Sequence, residues 1–133
     1  MSPLNRLLSI AVLATGLGAC DPFHTAFEEI EPALMYEASS LEVPEDAPDT
    51  LTVMTWNVKF GGGRIDFFFD CYGDRVLMSS EEVTGNIAAI AEVVREADPD
   101  LLLVQEIDIN SRRADFIDQL QLLLDGTALN YAA

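Results

Sequence analysis

The chain has 133 residues, a length that allows one modest domain at most. Its 23 acidic and 7 basic residues give a net charge of −16. This balance argues against a protein that binds nucleic acid through a basic surface, because neutralising phosphates requires Lys and Arg. The composition also excludes collagen, coiled coils and disulfide scaffolds, since the glycines show no triplet period, no heptad run occurs, and two cysteines form one bridge at best.

The N-terminus has the layout of an export signal. Arg6 precedes an uncharged stretch over residues 7–20, which is shorter than the roughly 20 residues of a membrane span. The stretch ends in Leu-Gly-Ala-Cys20, which resembles the lipobox of bacterial lipoproteins. The resemblance implies a signal peptide over residues 1–19, lipidation of Cys20, and an exported protein anchored to the membrane on the periplasmic or cell-surface side of the bacterial envelope. The alternative is an ordinary secretory signal, in which Cys20 is free to pair with Cys71.

An acidic, proline-containing segment follows. Residues 21–50 hold nine acidic residues, no Lys or Arg, and four of the six prolines. Low hydrophobicity and unbalanced charge do not offset the entropy of ordering, so we predict a solvated tether over residues 20–50. An alternative is a short amphipathic helix over residues 23–34 that docks on the domain. His24, the only histidine, lies in this segment and is expected to be solvated.

Residues 51–133 predict the element order β-α-β-α. Residues 51–58 include apolar residues at both odd and even positions, as in a strand that is covered on both faces. Ser79 and Glu82 have the spacing of a capping box, and the helix after them carries one apolar stripe from Val83 to Val94. Asp98-Pro99 ends that helix.

The second strand and the second helix of this order are predicted after Pro99. Residues 101–105 are a continuous apolar run that is typical of a central strand. A second amphipathic helix is predicted over residues 115–124, with Gly126 just past its end. Its inward side chains are expected to be Phe116, Leu120, Leu123 and Leu124.

A polar residue follows each of the two predicted strands. Asn57 lies at the end of the first strand and Glu106 directly after the second. If the strands are neighbours, both side chains emerge at one edge of the sheet. A carboxylate and a carboxamide there offer hard oxygen ligands, which suit Mg²⁺ better than Zn²⁺.

The motifs around these residues resemble a known family. Thr-Trp-Asn57-Val, followed by Asp98-Pro-Asp-Leu-Leu-Leu-Val-Gln-Glu106, is similar to the opening third of the endonuclease/exonuclease/phosphatase superfamily (deoxyribonuclease I-like). The resemblance implies an α/β (α+β) fold, namely the β-α-β-α start of a four-layer α/β/β/α sandwich that is incomplete in this chain. It also implies a Mg²⁺- or Mn²⁺-dependent phosphoester hydrolase. In such a site Glu106 binds the metal, and Asn57 helps to position metal and phosphate.

The sequence departs from the family in its later motifs. The family's general base, a His oriented by an Asp in an S-D-H motif, does not occur here, and neither does G-D-x-N. We therefore expect residues 51–133 to be the N-terminal part of such a domain, inactive as this fragment. The alternative is a non-catalytic envelope lipoprotein or interaction module that retains the start of the fold.

The segment between the first strand and the first helix supplies further candidates. Possible phosphate-binding cations near Asn57 are Lys59, Arg64, Arg75 and Arg112. Gly61 to Gly63 are expected to form a flexible turn, since no Gly-Lys-Ser/Thr follows. Residues 67–69, three consecutive Phe, either pack beneath the sheet edge or form a hydrophobic lip, and Cys71 is expected to be a small buried residue.

The substrate class stays open between a lipid head group, a small phosphoester and nucleic acid. The acidic composition and the envelope location favour the first two over duplex DNA. The membrane is expected to be a partner through the N-terminal lipid, and no specific protein partner is predicted.

Overall fold

The structure is a computed structural model that describes residues 30, 32–42 and 49–133. The predicted signal peptide, Cys20 and most of the alternative helix over residues 23–34 lie outside the described residues. The chain divides into two units, Met1–Ala33 and Leu34–Ala133. The second unit contains β1 (Tyr36–Glu37), β2 (Val53–Asn57), α1 (Ser80–Ala97), β3 (Leu101–Gln105), α2 (Gln119–Asp125) and β4 (Tyr131–Ala132).

Strands β2 and β3 form a parallel pair, which confirms that the two predicted strands are neighbours. The register runs from Val53 opposite Leu101 to Asn57 opposite Gln105. One face of the pair packs against the helices through Met54, Trp56, Leu102 and Val104. The prediction that both faces are covered is wrong within the described residues. Val53, Leu101 and Leu103 on the other face are about half exposed, because no second layer of described residues lies over them.

Helix α1 follows the predicted pattern closely. Ser79 accepts a hydrogen bond from the Glu82 backbone N–H, and the Glu82 carboxylate accepts one from the Ser79 backbone N–H at 2.9 Å, so the capping box is confirmed. The predicted stripe faces inward: Val83, Ile87, Ile90, Ala91 and Val94 are all buried. The helix ends at Asp98, which takes a left-handed conformation before Pro99.

Helix α2 is shorter than predicted. A 3-10 turn over Arg112–Ala114 precedes it, and α2 starts after Asp118, whose side chain accepts a hydrogen bond from the Gln121 backbone N–H at 3.0 Å. The prediction for Phe116 is wrong, since its backbone is left-handed and its side chain is 60 % exposed. Leu123 and Leu124 are buried as expected, and Gly126 caps the helix end.

Part of the segment expected to be a solvated tether packs on the domain instead. Tyr36 and Glu37 pair antiparallel with Ala132 and Tyr131, and Ala38 is buried. The Ser39 backbone N–H donates to the Asp125 carboxylate at 2.7 Å. Backbone pairing and the burial of Ala38 stabilise this part of the segment, and an average over the acidic composition of residues 21–50 does not reveal these contacts. None of the helices in the described ranges is long and apolar enough to cross a bilayer.

Candidate functional site

Asn57 and Glu106 meet at the carboxyl edge of the β2–β3 pair. The Asn57 Nδ2 donates to Glu106 Oε1 at 2.8 Å, and both residues are exposed. The parallel register explains this contact, because the strands end side by side at Asn57 and Gln105 and Glu106 is the next residue. The structure therefore brings together the two residues that the sequence analysis selected.

The orientation of the Asn57 carboxamide is fixed by a backbone donor. The Lys59 backbone N–H donates to Asn57 Oδ1 at 2.9 Å, so the oxygen and nitrogen of this amide are assigned by the geometry. The amide oxygen faces the chain that leaves β2, and the amide nitrogen faces the Glu106 carboxylate. In this arrangement Asn57 holds Glu106 in place, and the Glu106 side chain remains exposed to solvent.

The turns that follow the two strands have strained backbones. Lys59 and Phe60 have φ angles of 47° and 44°, and Glu106 has a φ angle of 54°. Non-glycine residues rarely adopt this left-handed region. The two turns are also joined directly, since the Phe60 backbone N–H donates to the Glu106 carbonyl oxygen at 2.6 Å. The carboxylate of Glu106 thus sits on a constrained backbone.

Gln119, a residue that the sequence analysis missed, connects both turns from below. Its side chain is fully buried; Nε2 donates to the Phe60 carbonyl oxygen at 2.8 Å, and Oε1 accepts from the Asp108 backbone N–H at 3.1 Å. Gly61 allows this approach. Its φ angle is +70°, and a Cβ there would lie 3.0 Å from Gln119 Nε2. The glycines expected to form a flexible turn are thus partly packed, with Gly61 and Gly62 buried.

Arg113 follows the predicted phosphate-binding residue Arg112 and forms contacts within the chain. Its guanidinium forms two hydrogen bonds to the Asp108 carboxylate, at 2.6 and 2.8 Å, and lies 3.8 Å from the centre of the Phe60 ring. The hydrogen bond to Asp108 raises the pKa of Arg113 most strongly, and the charge of Glu106 adds a smaller increase. The Arg113 guanidinium is therefore held in an ion pair with Asp108, two residues after Glu106.

The four predicted phosphate-binding cations differ in their surroundings. Lys59 donates to the Asp70 carboxylate and the Ile65 carbonyl oxygen, both at 3.0 Å. Arg75 pairs with Glu82 at 2.7 Å, in the capping box of α1. Arg64 and Arg112 are exposed. Lys59 and Arg75 are thus paired with acidic residues of this chain, whereas Arg64 and Arg112 extend into solvent.

The three consecutive phenylalanines divide between the two predicted alternatives. Phe67 is buried, with its ring 4.9 Å from that of Phe60, whereas Phe68 and Phe69 are 66 % and 54 % exposed. The prediction that Cys71 is buried is wrong, because this free thiol is exposed. Cys71 lies in a turn that is closed by hydrogen bonds of Phe67, Asp70 and Gly73, and its own side chain remains open to solvent.

The distribution of metal-ligating side chains and of cavities in the described residues also bears on this site. No group of three or more His, Cys, Asp or Glu side chains arranged for a metal ion occurs within residues 30, 32–42 and 49–133. A groove of about 710 Å³ runs along β3, and neither Asn57 nor Glu106 lines it. Its walls are mostly apolar and include Leu102, Leu120, Leu124 and Leu129.

Comparisons of the chain with protein-family models, with curated proteins and with solved structures found no match.

Proposed function

We propose that this chain is the N-terminal part of a metal-dependent phosphoester hydrolase of the endonuclease/exonuclease/phosphatase type, in which Glu106 binds Mg²⁺. The observation that carries the proposal is the 2.8 Å contact between Asn57 Nδ2 and Glu106 Oε1 at the ends of two adjacent parallel strands. The four-layer sandwich, the Mg²⁺ or Mn²⁺ cofactor and the membrane-anchored location belong to the same proposal.

The residues present fit a hard cation held mainly by solvent. Mg²⁺ keeps several of its waters and commonly takes only one or two carboxylates from a protein. Glu106 is exposed, and one of its oxygens is fixed by the Asn57 amide, which is the outer-shell support that orients a ligating carboxylate. A bound Mg²⁺ would supply charge stabilisation to a phosphate oxygen.

The chain's own residues contribute positioning and charge. Asn57 orients Glu106, Gln119 holds both turns, and Arg113 pairs with Asp108 in the turn after Glu106. Left-handed backbone at Lys59, Phe60 and Glu106 supports the assignment, because such conformations persist where the surroundings enforce them and they cluster at functional sites. Asn57 is accordingly proposed as a positioning residue and Glu106 as the metal ligand.

Calorimetric titration of the full chain with Mg²⁺ tests the proposal. Glu106→Gln removes the ligand charge and should abolish saturable binding at this site. Asn57→Ala should weaken binding by about tenfold or more, the usual effect of losing an outer-shell partner. Glu92→Gln, which removes an equal charge from the exposed surface of α1, is the matched control and should bind like the parent chain. Equal binding by the Glu106→Gln and Glu92→Gln variants would contradict the assignment.

A further inference from the structure

A loop between β2 and α1 holds several aromatic side chains in solvent. We call residues 66–77 the aromatic loop. Phe68, Phe69 and Tyr72 in this loop are 66 %, 54 % and 98 % exposed, and Val76 and Leu77 beside them are about half exposed. Single exposed apolar residues are normal on a protein surface, but several in one short loop form a patch that indicates an interaction site.

The aromatic loop is built so that these side chains stay outside. The Asp70 carboxylate accepts from the Phe67 backbone N–H at 2.8 Å and from Lys59 Nζ at 3.0 Å. The Phe68 backbone N–H donates to the Arg75 carbonyl oxygen at 2.9 Å, which closes the loop. Phe67 is 1 % exposed and anchors the loop in the core. The exposed rings therefore belong to an ordered turn that the buried Phe67 side chain anchors to the core.

The charge of the loop region differs from that of the whole chain. The aromatic loop itself carries three acidic residues and one basic residue, and Lys59 and Arg64 before it bring residues 59–77 to three of each sign, whereas the whole chain has a net charge of −16. Exposed Phe rings and a Tyr that offers a polar hydroxyl, in a region where acidic and basic residues balance over residues 59–77, suit the interfacial layer of a bilayer, where one end of such a ring is apolar and the other is wet. The exposed Arg64 adds a long basic side chain near this patch, a type that reaches toward head groups.

We propose that the aromatic loop docks on the surface of a lipid bilayer, with Phe68, Phe69 and Tyr72 entering the interfacial layer. The length of the preceding chain allows this contact. The 15 residues from Cys20 to Leu34 span about 50 Å when extended, so a lipid on Cys20 would keep the domain within reach of the membrane. Such tethering raises the effective concentration of a weak second contact. The loop contact does not depend on the Glu106 metal site.

The exposed Cys71 thiol gives a direct probe of the loop. In the full chain with Cys20→Ser, the uncharged stretch over residues 7–20 takes the place of the lipid as the anchor on the vesicle. Cys71 is then the single thiol and takes an environment-sensitive nitrobenzoxadiazole label. With phosphatidylcholine vesicles, the label emission should shift to shorter wavelength, and spin-labelled lipid should quench it. A matched chain with Cys20→Ser, Cys71→Ser and Glu92→Cys carries the label on the exposed surface of α1 and should show neither change.

The variants then separate the loop from the N-terminal segment. Phe68→Ser and Tyr72→Ser together remove the two most exposed rings and should abolish the shift at Cys71, even where residues 7–20 hold the protein on the vesicle. Three results would overturn the proposal: an unchanged Cys71 label in the presence of vesicles, a shift that survives the double substitution, or a shift produced by higher protein concentration without lipid, which would indicate a protein contact.

Discussion

Replacing Gln119 by Leu tests the account of how the two turns of the site are held. The substitution keeps the size of the side chain and removes both of its hydrogen bonds, one to the Phe60 carbonyl oxygen at 2.8 Å and one from the Asp108 backbone N–H at 3.1 Å. Phe60 is buried, so its carbonyl oxygen would lose its partner away from water. Leaving a buried polar group unsatisfied costs about 1–3 kcal/mol.

The second hydrogen bond adds a smaller cost, because Asp108 is only half-buried and water is able to reach its backbone. An ordinary hydrogen bond contributes about 1 kcal/mol. We therefore expect Gln119→Leu to lower the free energy of unfolding by about 2–4 kcal/mol in a urea titration of the full chain, with an unchanged slope against denaturant.

The control for this prediction lies two residues further along α2. Gln121 is half-buried and donates to the Glu37 carbonyl oxygen at 3.1 Å and to the Asp125 carboxylate at 3.0 Å, on a face that water reaches. Gln121→Leu should therefore cost less than about 1 kcal/mol. If the Gln119 and Gln121 variants lost the same stability, the bridging role of Gln119 would be refuted.

Three further predictions concern the frame around the site. Ser79→Ala removes the cap of α1 and should lower the free energy of unfolding by about 1 kcal/mol in urea; no loss would contradict the capping box. The hydrogen bond from Arg75, with that from the Ser79 backbone N–H, lowers the pKa of Glu82 from 4.5 to about 2. Because the pKa of Glu82 is lower in the folded state, its ionisation stabilises the fold above about pH 4.5, and this contribution is lost as the pH falls toward 2. The unfolding temperature of Glu82→Gln should therefore decrease less steeply over that range than the unfolding temperature of the parent chain. Phe67→Ala should cost about 3–5 kcal/mol and Phe68→Ala less than about 0.5 kcal/mol; similar losses in the two unfolding titrations would show that the burial of Phe67 and the exposure of Phe68 are wrongly assigned.

Local patterns predicted the parts of the fold that depend on neighbours in sequence. The capping box of Ser79 and Glu82, the stripe of α1 and the stop at Asp98 all rest on spacings within a few residues, and all are confirmed. Asn57 and Glu106 are 49 residues apart, and the sequence analysis places them at one edge on the condition that the two strands are neighbours; the parallel pairing of β2 with β3 meets that condition. The sequence thus predicted the shared edge, and the structure adds the hydrogen bond between the two side chains.

Contacts between distant residues escaped the sequence analysis. Gln119 lies 59 residues from Phe60 and has the composition of an ordinary helix surface residue, so no local pattern marked it as a buried bridge. The pairing of Tyr36 with Ala132 joins residues that are far apart, and the acidic residues around Tyr36 concealed it. The exposure of Phe68 and Cys71 depends on the turn that Asp70 closes, which hydrophobicity alone does not reveal.

The most direct test of the central claim is a nuclear magnetic resonance titration of the isotope-labelled full chain with Mn²⁺. A paramagnetic ion broadens the signals of nuclei close to it, so the experiment locates the ion among the many acidic residues. We expect the backbone amides of Asn57, Lys59 and Glu106 to broaden first, to recover on addition of excess Mg²⁺, and to stay sharp in Glu106→Gln. First broadening at Glu92 and Glu96 on α1, with the Asn57 and Glu106 signals unaffected, would contradict a metal site at the edge of the β2–β3 pair.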